Sequence, residues 1–432
     1  MTDTTAPENA SQLPASPLPA SLGIAGRHVS LDPRDPGFVQ DPYPAYAAIR
    51  QACATQGGGS GFWWEQYGHW CLAGHGDVTA ALKDRRFGRQ ILHVTSREAL
   101  GWPEPEAHLG PFLAVERHSL LELEPPDHTR LRTLINRAFV SRQVERLRPR
   151  IVSLAHGLID GFVARGEADL LDAYATPIPV IVIAELLGVP AERAPDLLDW
   201  SHRMVAMYQF RRSRQIEDEA VAATLGFVAF LREVVAERRA APREDLVSTL
   251  IAASEAGDRL SEDELIATCI LVLNAGHEAT VHALANGTRA ILGNAPARAA
   301  LADPQALPGL VEEVLRHDAP LHMFTRYALE DCEAYGHRFR QGDKVGLLLG
   351  AANRDPARFA EPDRFDAARP AGPHLSFGAG IHFCIGAPLA RLELEVALPI
   401  LFARLPGLRL GAEPRYRDTY HFHGLERLDA VW

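Results

Sequence analysis

One cysteine sets the strongest constraint on this chain. Cys384 lies in the run Phe377-Gly-Ala-Gly380-Ile-His382-Phe-Cys384-Ile-Gly386, directly before a helix-forming stretch that begins at Ala387. Glycines, having no Cβ, let backbone amides approach the sulfur, and the helix start behind it presents its positive end. Both features favour the thiolate. The segment therefore reads as a loop built around an anionic sulfur ligand; the competing reading is a buried structural cysteine in a turn.

Composition narrows the classes that can carry such a loop. The 432 residues are 47% hydrophobic and 23% charged, enough for a sizeable core and unlike fibrous or disordered chains. With 44 Lys+Arg against 55 Asp+Glu the net charge is −11, which speaks against nucleic acid or an anionic membrane as a partner. The five cysteines, Cys53, Cys71, Cys269, Cys332 and Cys384, are odd in number and never spaced CxxC. That disfavours a disulfide framework or a thiolate zinc site and points to a reducing cytoplasm. The strongest apolar stretch, Pro177 to Val189, is broken by Pro179 and Glu185 and falls short of the roughly 20 residues of a membrane span. Residues 1–25, rich in Pro, Ser and Ala, read as a disordered leader before a single large domain at 26–432.

The periodicities predict a mainly α fold with small β-sheets. A helix is expected over Tyr43–Ala54, and a hairpin over Gly61–Leu72 after the Gly57–Gly59 turn. From Pro126 to Arg239 apolar residues recur at helical spacing, as in Leu225, Val228, Leu231 and Val234. Ser261 with Glu264 spells a capping box that opens a helix from Glu262 to about Leu292, roughly 45 Å long at 1.5 Å per residue. A helix over Leu307–His317, strands near Phe324–Leu329 and Lys344–Leu349, and a final helix over Ala387–Leu405 follow. Between them Asn353–Gly380 reads as a long ordered loop, and Tyr416–Trp432 as a terminal strand pair.

The spacing FxxGxxxCxG, met here at Phe377, Gly380, Cys384 and Gly386, resembles the heme-binding loop of the cytochrome P450 family of heme-thiolate monooxygenases. The resemblance implies heme b with Cys384 as its axial thiolate and O2 as co-substrate. It covers almost everything after the leader. Glu313-Val-Leu-Arg316 is similar to the family's ExxR helix, where i, i+3 spacing puts both charges on one face. With Arg364 it resembles the buried Glu-Arg-Arg cluster that braces the loop. His128 and Arg132, four apart, resemble donors for the heme carboxylates, as do Arg326 and His382.

The long helix carries Ala275-Gly276-His277-Glu278-Ala279-Thr280. His277-Glu278 with His282 superficially suggests a zinc-protease HExxH, but five-residue spacing separates the histidines by about 140° around a helix. The stretch instead resembles the family's oxygen-binding segment, in which Ala275 and Gly276 admit dioxygen beside the iron and locally loosen the helix. Glu278 then falls at the family's acid. Ala279 stands where a threonine usually helps deliver protons, with Thr280 one place later, and one residue is a rotation of about 100°. Proton delivery through Glu278, Ala279 and Thr280 thus departs from the family pattern.

The implied reaction is insertion of one oxygen atom into a C–H bond, or a related oxidation, of a small, largely apolar molecule. The sequence shows no flavin, nicotinamide or iron–sulfur motif, so electrons are expected from a separate ferredoxin and ferredoxin reductase, with Arg137 and Arg391 as cations toward such a partner. The resemblance places the substrate pocket at five stretches: 87–115, 200–212, 271–275, 321–324 and 421–423. Leu271, Ala275, Met323, Phe324 and Phe422 are its expected wall. His202, Arg203, Arg211 and Arg212 are alternatives for a substrate carboxylate or a solvated helix end. A peroxide-dependent heme-thiolate enzyme and a heme-binding sensor remain the competing functions.

Overall fold

The computed structural model describes residues 17–57, 59–136, 139, 144–210, 212–255 and 260–432. Its helices of nine or more residues are numbered α1 (Tyr43–Thr55), α2 (His75–Lys83), α3 (Asp127–Asn136), α4 (Arg148–Phe162), α5 (Pro177–Leu187) and α6 (Ala194–Val205) in the first half. α7 (Arg214–Ala240), α8 (Leu246–Glu255), α9 (Glu262–Leu292), α10 (Leu307–His317) and α11 (Ala387–Arg404) follow. The strands are β1 (Gly23–Ala25), β2 (His28–Ser30), β3 (Gly61–Trp64), β4 (His69–Leu72), β5 (Phe87–Gly88) and β6 (Glu167–Asp169). They continue with β7 (Met323–Ala328), β8 (Cys332–Ala334), β9 (His337–Phe339), β10 (Lys344–Leu348), β11 (Arg409–Leu410) and β12 (Asp429–Val431).

Helix α9 is the axis of the molecule. The Ser261 hydroxyl accepts from the Glu264 N–H while the Glu264 carboxylate accepts from the Ser261 N–H, and Glu262, Asp263 and Glu264 meet the positive helix start. α5, α6, α10 and α11 all pack on it. Its residues are accordingly buried on nearly every face, as in a helix surrounded by others. It stays α-helical from Glu262 to Leu292, so Ala275 and Gly276 do not loosen it as expected. A Cβ on Gly276 would overlap Ile183 Cδ1 of α5, so what the glycine provides is close packing of two helices.

Beside the helices lies a seven-stranded sheet in the order β1-β2-β3-β4-β10-β7-β5, with β4 parallel and β7 antiparallel to β10. The expected leader overlaps its edge, since Gly23–Ala25 pairs with His28–Ser30. The terminal strand pair also differs from expectation. Tyr416 and Leu425 form only an isolated bridge, while β12 pairs with β6 and β11. From Asn353 to Ala379 there is neither helix nor strand. The loop is ordered by its side chains: Asn353 donates to Ser376 Oγ (2.8 Å) and accepts from the Leu375 N–H (2.7 Å), and the Ser376 hydroxyl donates to the Leu315 carbonyl at the end of α10 (2.7 Å). Among the described residues no helix is long and apolar enough to cross a membrane.

Candidate active site

The glycine-bracketed loop ends against α11 with its backbone shaped by two residues of positive φ, Gly378 (+67°) and Gly380 (+73°). A Cβ on Gly380 would overlap the Leu82 carbonyl, so no other residue fits there. The Cys384 N–H donates to the Phe377 carbonyl (2.9 Å), which closes the loop on itself. Burial pushes the Cys384 thiol up, opposed by the amides of Gly386 and Ala387 and the charges of Arg132 and Arg391. Binding a metal cation removes that proton outright.

Beneath the loop, Glu313 and Arg316 are both buried and paired through two bonds, Nε to Oε2 (2.7 Å) and Nη2 to Oε1 (2.8 Å). Arg364 does not join them. It is exposed and pairs with Glu361 (2.9 Å) and Asp366 (3.3 Å). The third cation is Arg369, whose Nε donates to Glu313 Oε2 (3.1 Å), while only the backbone carbonyl of Arg364 faces the cluster, accepting from Arg316 and Arg369.

Across from the loop lies α9, and a cavity of about 640 Å³ runs between them, bordered by Cys384 on one side and by Ala275, Gly276, Ala279 and Thr280 on the other. Helix continuity leaves Thr280 rotated from Ala279, yet both border the space; the Thr280 hydroxyl donates to the Gly276 carbonyl (3.1 Å). Glu278 turns away from this cavity toward a smaller one of about 250 Å³. There the imidazoles of His202, His277 and His282 surround it at 3.4, 3.4 and 3.2 Å. Burial raises the Glu278 carboxyl, but the three histidines together hold it well below the usual range.

At the rim near Cys384, buried His128 and half-buried His382 lie with their rings tilted at 54° and 4.4 Å apart. The Nε2 of His128 has no hydrogen-bond partner among the described residues, and that of His382 lies 3.4 Å from Glu124 Oε1. Arg132 reaches the same rim, its Nη2 donating to the Phe383 carbonyl (2.6 Å). Arg326 is buried beside them but does not border the cavity; its Nη1 donates to the Thr325 carbonyl (2.9 Å) and its guanidinium lies over the Phe324 ring. Burial, with repulsion from Arg89, lowers it to about 10.

A family model for cytochrome P450 matches residues 289–405. Cytochrome P450 107B1 of Saccharopolyspora erythraea is 40% identical to this chain, over 91% of it and 96% of the relative. The chain belongs to the cytochrome P450 family. Vitamin D(3) 25-hydroxylase of Pseudonocardia autotrophica is 39% identical over 90% of this chain and 94% of its own. Among solved structures, P450BioI with an acyl carrier protein bearing hexadec-9Z-enoic acid superposes with a TM-score of 0.83 at 34% identity, covering 91% of this chain and 99% of that one.

Cytochromes P450 bind heme b through a cysteine thiolate and use O2 for monooxygenation. The residues here fit that group. The cavity joins the Cys384 loop to α9, and the unpartnered Nε2 of His128 lies with Arg132 and with His382, whose Nε2 is 3.4 Å from Glu124, as a donor set for the two carboxylates of heme. Burial, with the charges of His382 and Arg132, drives His128 down to about 4; an anion placed beside it reverses the electrostatic part of that effect.

All five stretches anticipated for the P450 substrate pocket reach the cavity, and Leu271, Ala275, Met323, Phe324 and Phe422 all border it. His202 borders only the smaller cavity, as does Arg417. Arg203 pairs with Asp199 and Arg212 with Glu217, so neither faces a substrate; Arg211 and Arg137 lie outside the described residues. Arg391 is not a free surface cation either: it is bound to Glu312 (2.6 Å) and lies over the Phe377 ring. Sequence reasoning missed Glu116, Tyr67 and His69, which also line the cavity, whereas Arg89 falls within the anticipated stretch 87–115. Burial and the like charge of Glu122 lift Glu116 to about 7, while the Tyr208 hydroxyl donates to its Oε2 (2.7 Å).

Proposed function

We propose that this cytochrome P450 inserts one oxygen atom from O2 into a C–H bond of a small, largely apolar molecule, with electrons from a separate ferredoxin and its reductase. The observation that carries the reading is the single cavity bordered both by Cys384 and by the Ala275–Thr280 stretch of α9. Cys384 and the stretch that resembles the family's oxygen-binding segment border one space, which supports this reading. Heme b, held by Cys384 with its carboxylates on His128, His382 and Arg132, supplies oxygen activation when bound.

The chain's own residues do the rest. Leu271, Phe324 and Phe422 press the substrate toward the heme position and exclude water, while Arg89, Glu116 and Tyr208 provide polar anchors. Ala275 leaves room at the helix surface for a small ligand, while the space over Gly276 is taken by Ile183. With Ala279 lacking a hydroxyl, the nearest side-chain hydroxyl on α9 is that of Thr280, tied to the Gly276 carbonyl. Proton supply then falls to Thr280 and to water held in the cavity. The named activities of relatives, a vitamin D(3) 25-hydroxylase and a 6-deoxyerythronolide B hydroxylase, support oxidation of a lipophilic substrate. The absence of flavin, nicotinamide and iron–sulfur motifs supports external electron donors. Five free cysteines support a reducing cytoplasm as its compartment.

The test begins with the reduced protein under carbon monoxide, beside Cys384→Ser. A strongly red-shifted Soret band that the substitution abolishes is expected; a band typical of a neutral axial ligand in the wild-type protein would refute the thiolate assignment. Ligands that displace iron-bound water are then offered with O2 and reduced ferredoxin. Product formed with hydrogen peroxide but not with ferredoxin would favour the peroxide-dependent reading, and the lack of a hydroxyl at Ala279 is what keeps that reading in view.

A further inference from the structure

We infer that His202, His277 and Glu278 form a binding site for a divalent transition-metal ion of the zinc class, clamping α6 to α9 outside the heme cavity. Glu278 Oε2 lies 3.4 Å from Nε2 of His202 and 3.4 Å from Nε2 of His277. The three ligand atoms all lie within 4.8 Å of one another. Ligands bound at about 2.0–2.1 Å in a tetrahedral zinc site are about 3.3 Å apart, so both nitrogen-to-oxygen separations already have the right length. Two imidazoles and one carboxylate suit zinc, and solvent from the small cavity can complete the coordination.

The donor pattern around His277 is the second, independent observation. Its Nδ1 lies 2.9 Å from the Leu273 carbonyl, which can only accept, so Nδ1 carries the hydrogen. In the neutral ring Nε2 is then a lone pair. It is buried, has no hydrogen-bond partner among the described residues, and lies 3.4 Å from a carboxylate oxygen that is also an acceptor. Two acceptors held this close together call for a cation between them. His282 completes the arrangement from the other side: its Nε2 meets Glu278 Oε1 at 3.2 Å and orients the carboxylate, as residues behind metal ligands commonly do. His202, 47% exposed, is the way in from solvent.

The ion would have a consequence for turnover. His202 is on the same helix as Val205, and Val205, Tyr208, Gln209 and Phe210 border the heme cavity. Bound metal would pin this wall and withdraw Glu278 from any proton path. That consequence rests on the oxygenase reading, whereas the binding itself does not.

The experiment uses the heme-loaded protein, equilibrium dialysis against ZnCl2, and zinc quantified by mass spectrometry. One zinc per chain is expected in the wild type, with affinity at least about tenfold lower in His202→Ala and in the isosteric His202→Asn, and with no response to MgCl2. Because His202 is half-exposed, both variants are expected to keep the wild-type carbon monoxide spectrum, which reports their fold. His108→Ala is the control for the other surface cluster of Glu106, His108 and Glu217, and is expected to retain the zinc. Equal zinc affinity in the wild type and both His202 variants would overturn the site, as would loss of zinc in His108→Ala alone. No zinc binding at all would leave a proton as the bridging cation and overturn it too. Zinc is further expected to slow substrate oxidation in the wild type and not in His202→Asn. If zinc binds through His202 but does not slow the reaction, the site stands and its link to turnover fails.

Discussion

Arg369 Nε lies 3.1 Å from Glu313 Oε2, and Arg316 grips the same carboxylate from its other side. Glu313 is buried and depends on both cations, whereas Arg364 is solvated and paired with Glu361 and Asp366. Removing Arg369 therefore leaves a buried anion short of a partner. Arg369→Ala is expected to cost about 3 kcal/mol, in line with breaking a buried pair, and to weaken heme retention because Arg369 also ties the Ala360 and Glu361 carbonyls. Arg364→Ala is expected to stay within about 0.5 kcal/mol, since it removes only exposed pairs. Thermal denaturation of both heme-loaded variants separates the two cations; equal losses would refute the assignment.

This cluster also marks where the sequence stops being informative. Glu313 and Arg316 are legible together because one helix turn brings i and i+3 onto the same face. Their third partner is 56 positions away in an aperiodic loop, where Arg364 and Arg369 are equally plausible until the path of the chain is known. The Cys384 loop was legible for the opposite reason, its chemistry being written in adjacent residues. The bounds of α9 were likewise local, set by Ser261 with Glu264 and by the lack of an internal proline. Tyr67 and His69 could not be placed at the cavity from sequence, because only the pairing of the sheet carries them there. The packing of Ile183 on Gly276 is of the same kind. A glycine read as a loosening of the helix is, in space, a contact between two helices.

Glu393 of α11 is buried, borders the cavity, and has both carboxyl oxygens without a hydrogen-bond partner. Burial pushes it well above its usual value of 4.5, so it folds protonated. Above that usual value the unfolded chain releases the proton and the folded chain does not. Stability is therefore lost as pH rises, by about 1.4 kcal/mol per pH unit until the folded carboxyl itself ionises. Glu393→Gln keeps the shape without the titration. The variant is expected to match the wild type near pH 4.5 and to exceed its Tm increasingly as the pH rises above that. A difference in Tm that does not change with pH would refute a neutral Glu393.

Ala279 borders the cavity without a hydroxyl, and Thr280, the next residue, uses its own on the Gly276 carbonyl. Ala279→Thr would add a hydroxyl on the cavity side of α9 without breaking the helix. The carbon monoxide spectrum is expected to stay unchanged and the ratio of product to released hydrogen peroxide to rise. Thr280→Ala is expected to lower that ratio. Product and peroxide measured against NADH consumed, with a reconstituted ferredoxin system, check both. A ratio unmoved by Ala279→Thr with every accepted substrate would mean that protons reach the site by a route independent of this helix face.

Gly276 sits where α9 and α5 touch, and a Cβ there would overlap Ile183 Cδ1. Two effects oppose each other in Gly276→Ala. Alanine favours a helix interior over glycine by about 1 kcal/mol, whereas forcing an extra methyl into a packed contact costs about 1–3 kcal/mol. In the wild-type background the crowding is expected to win or to cancel the gain. In Ile183→Val, which lacks Cδ1, only the helix preference remains, so Gly276→Ala should there stabilise by up to about 1 kcal/mol. The double-mutant cycle is read from denaturant unfolding, and a coupling between the two sites of about 1 kcal/mol or more is expected. Additive effects would mean that α5 and α9 adjust freely, and that Gly276 is held in place by the cavity it borders instead of by Ile183.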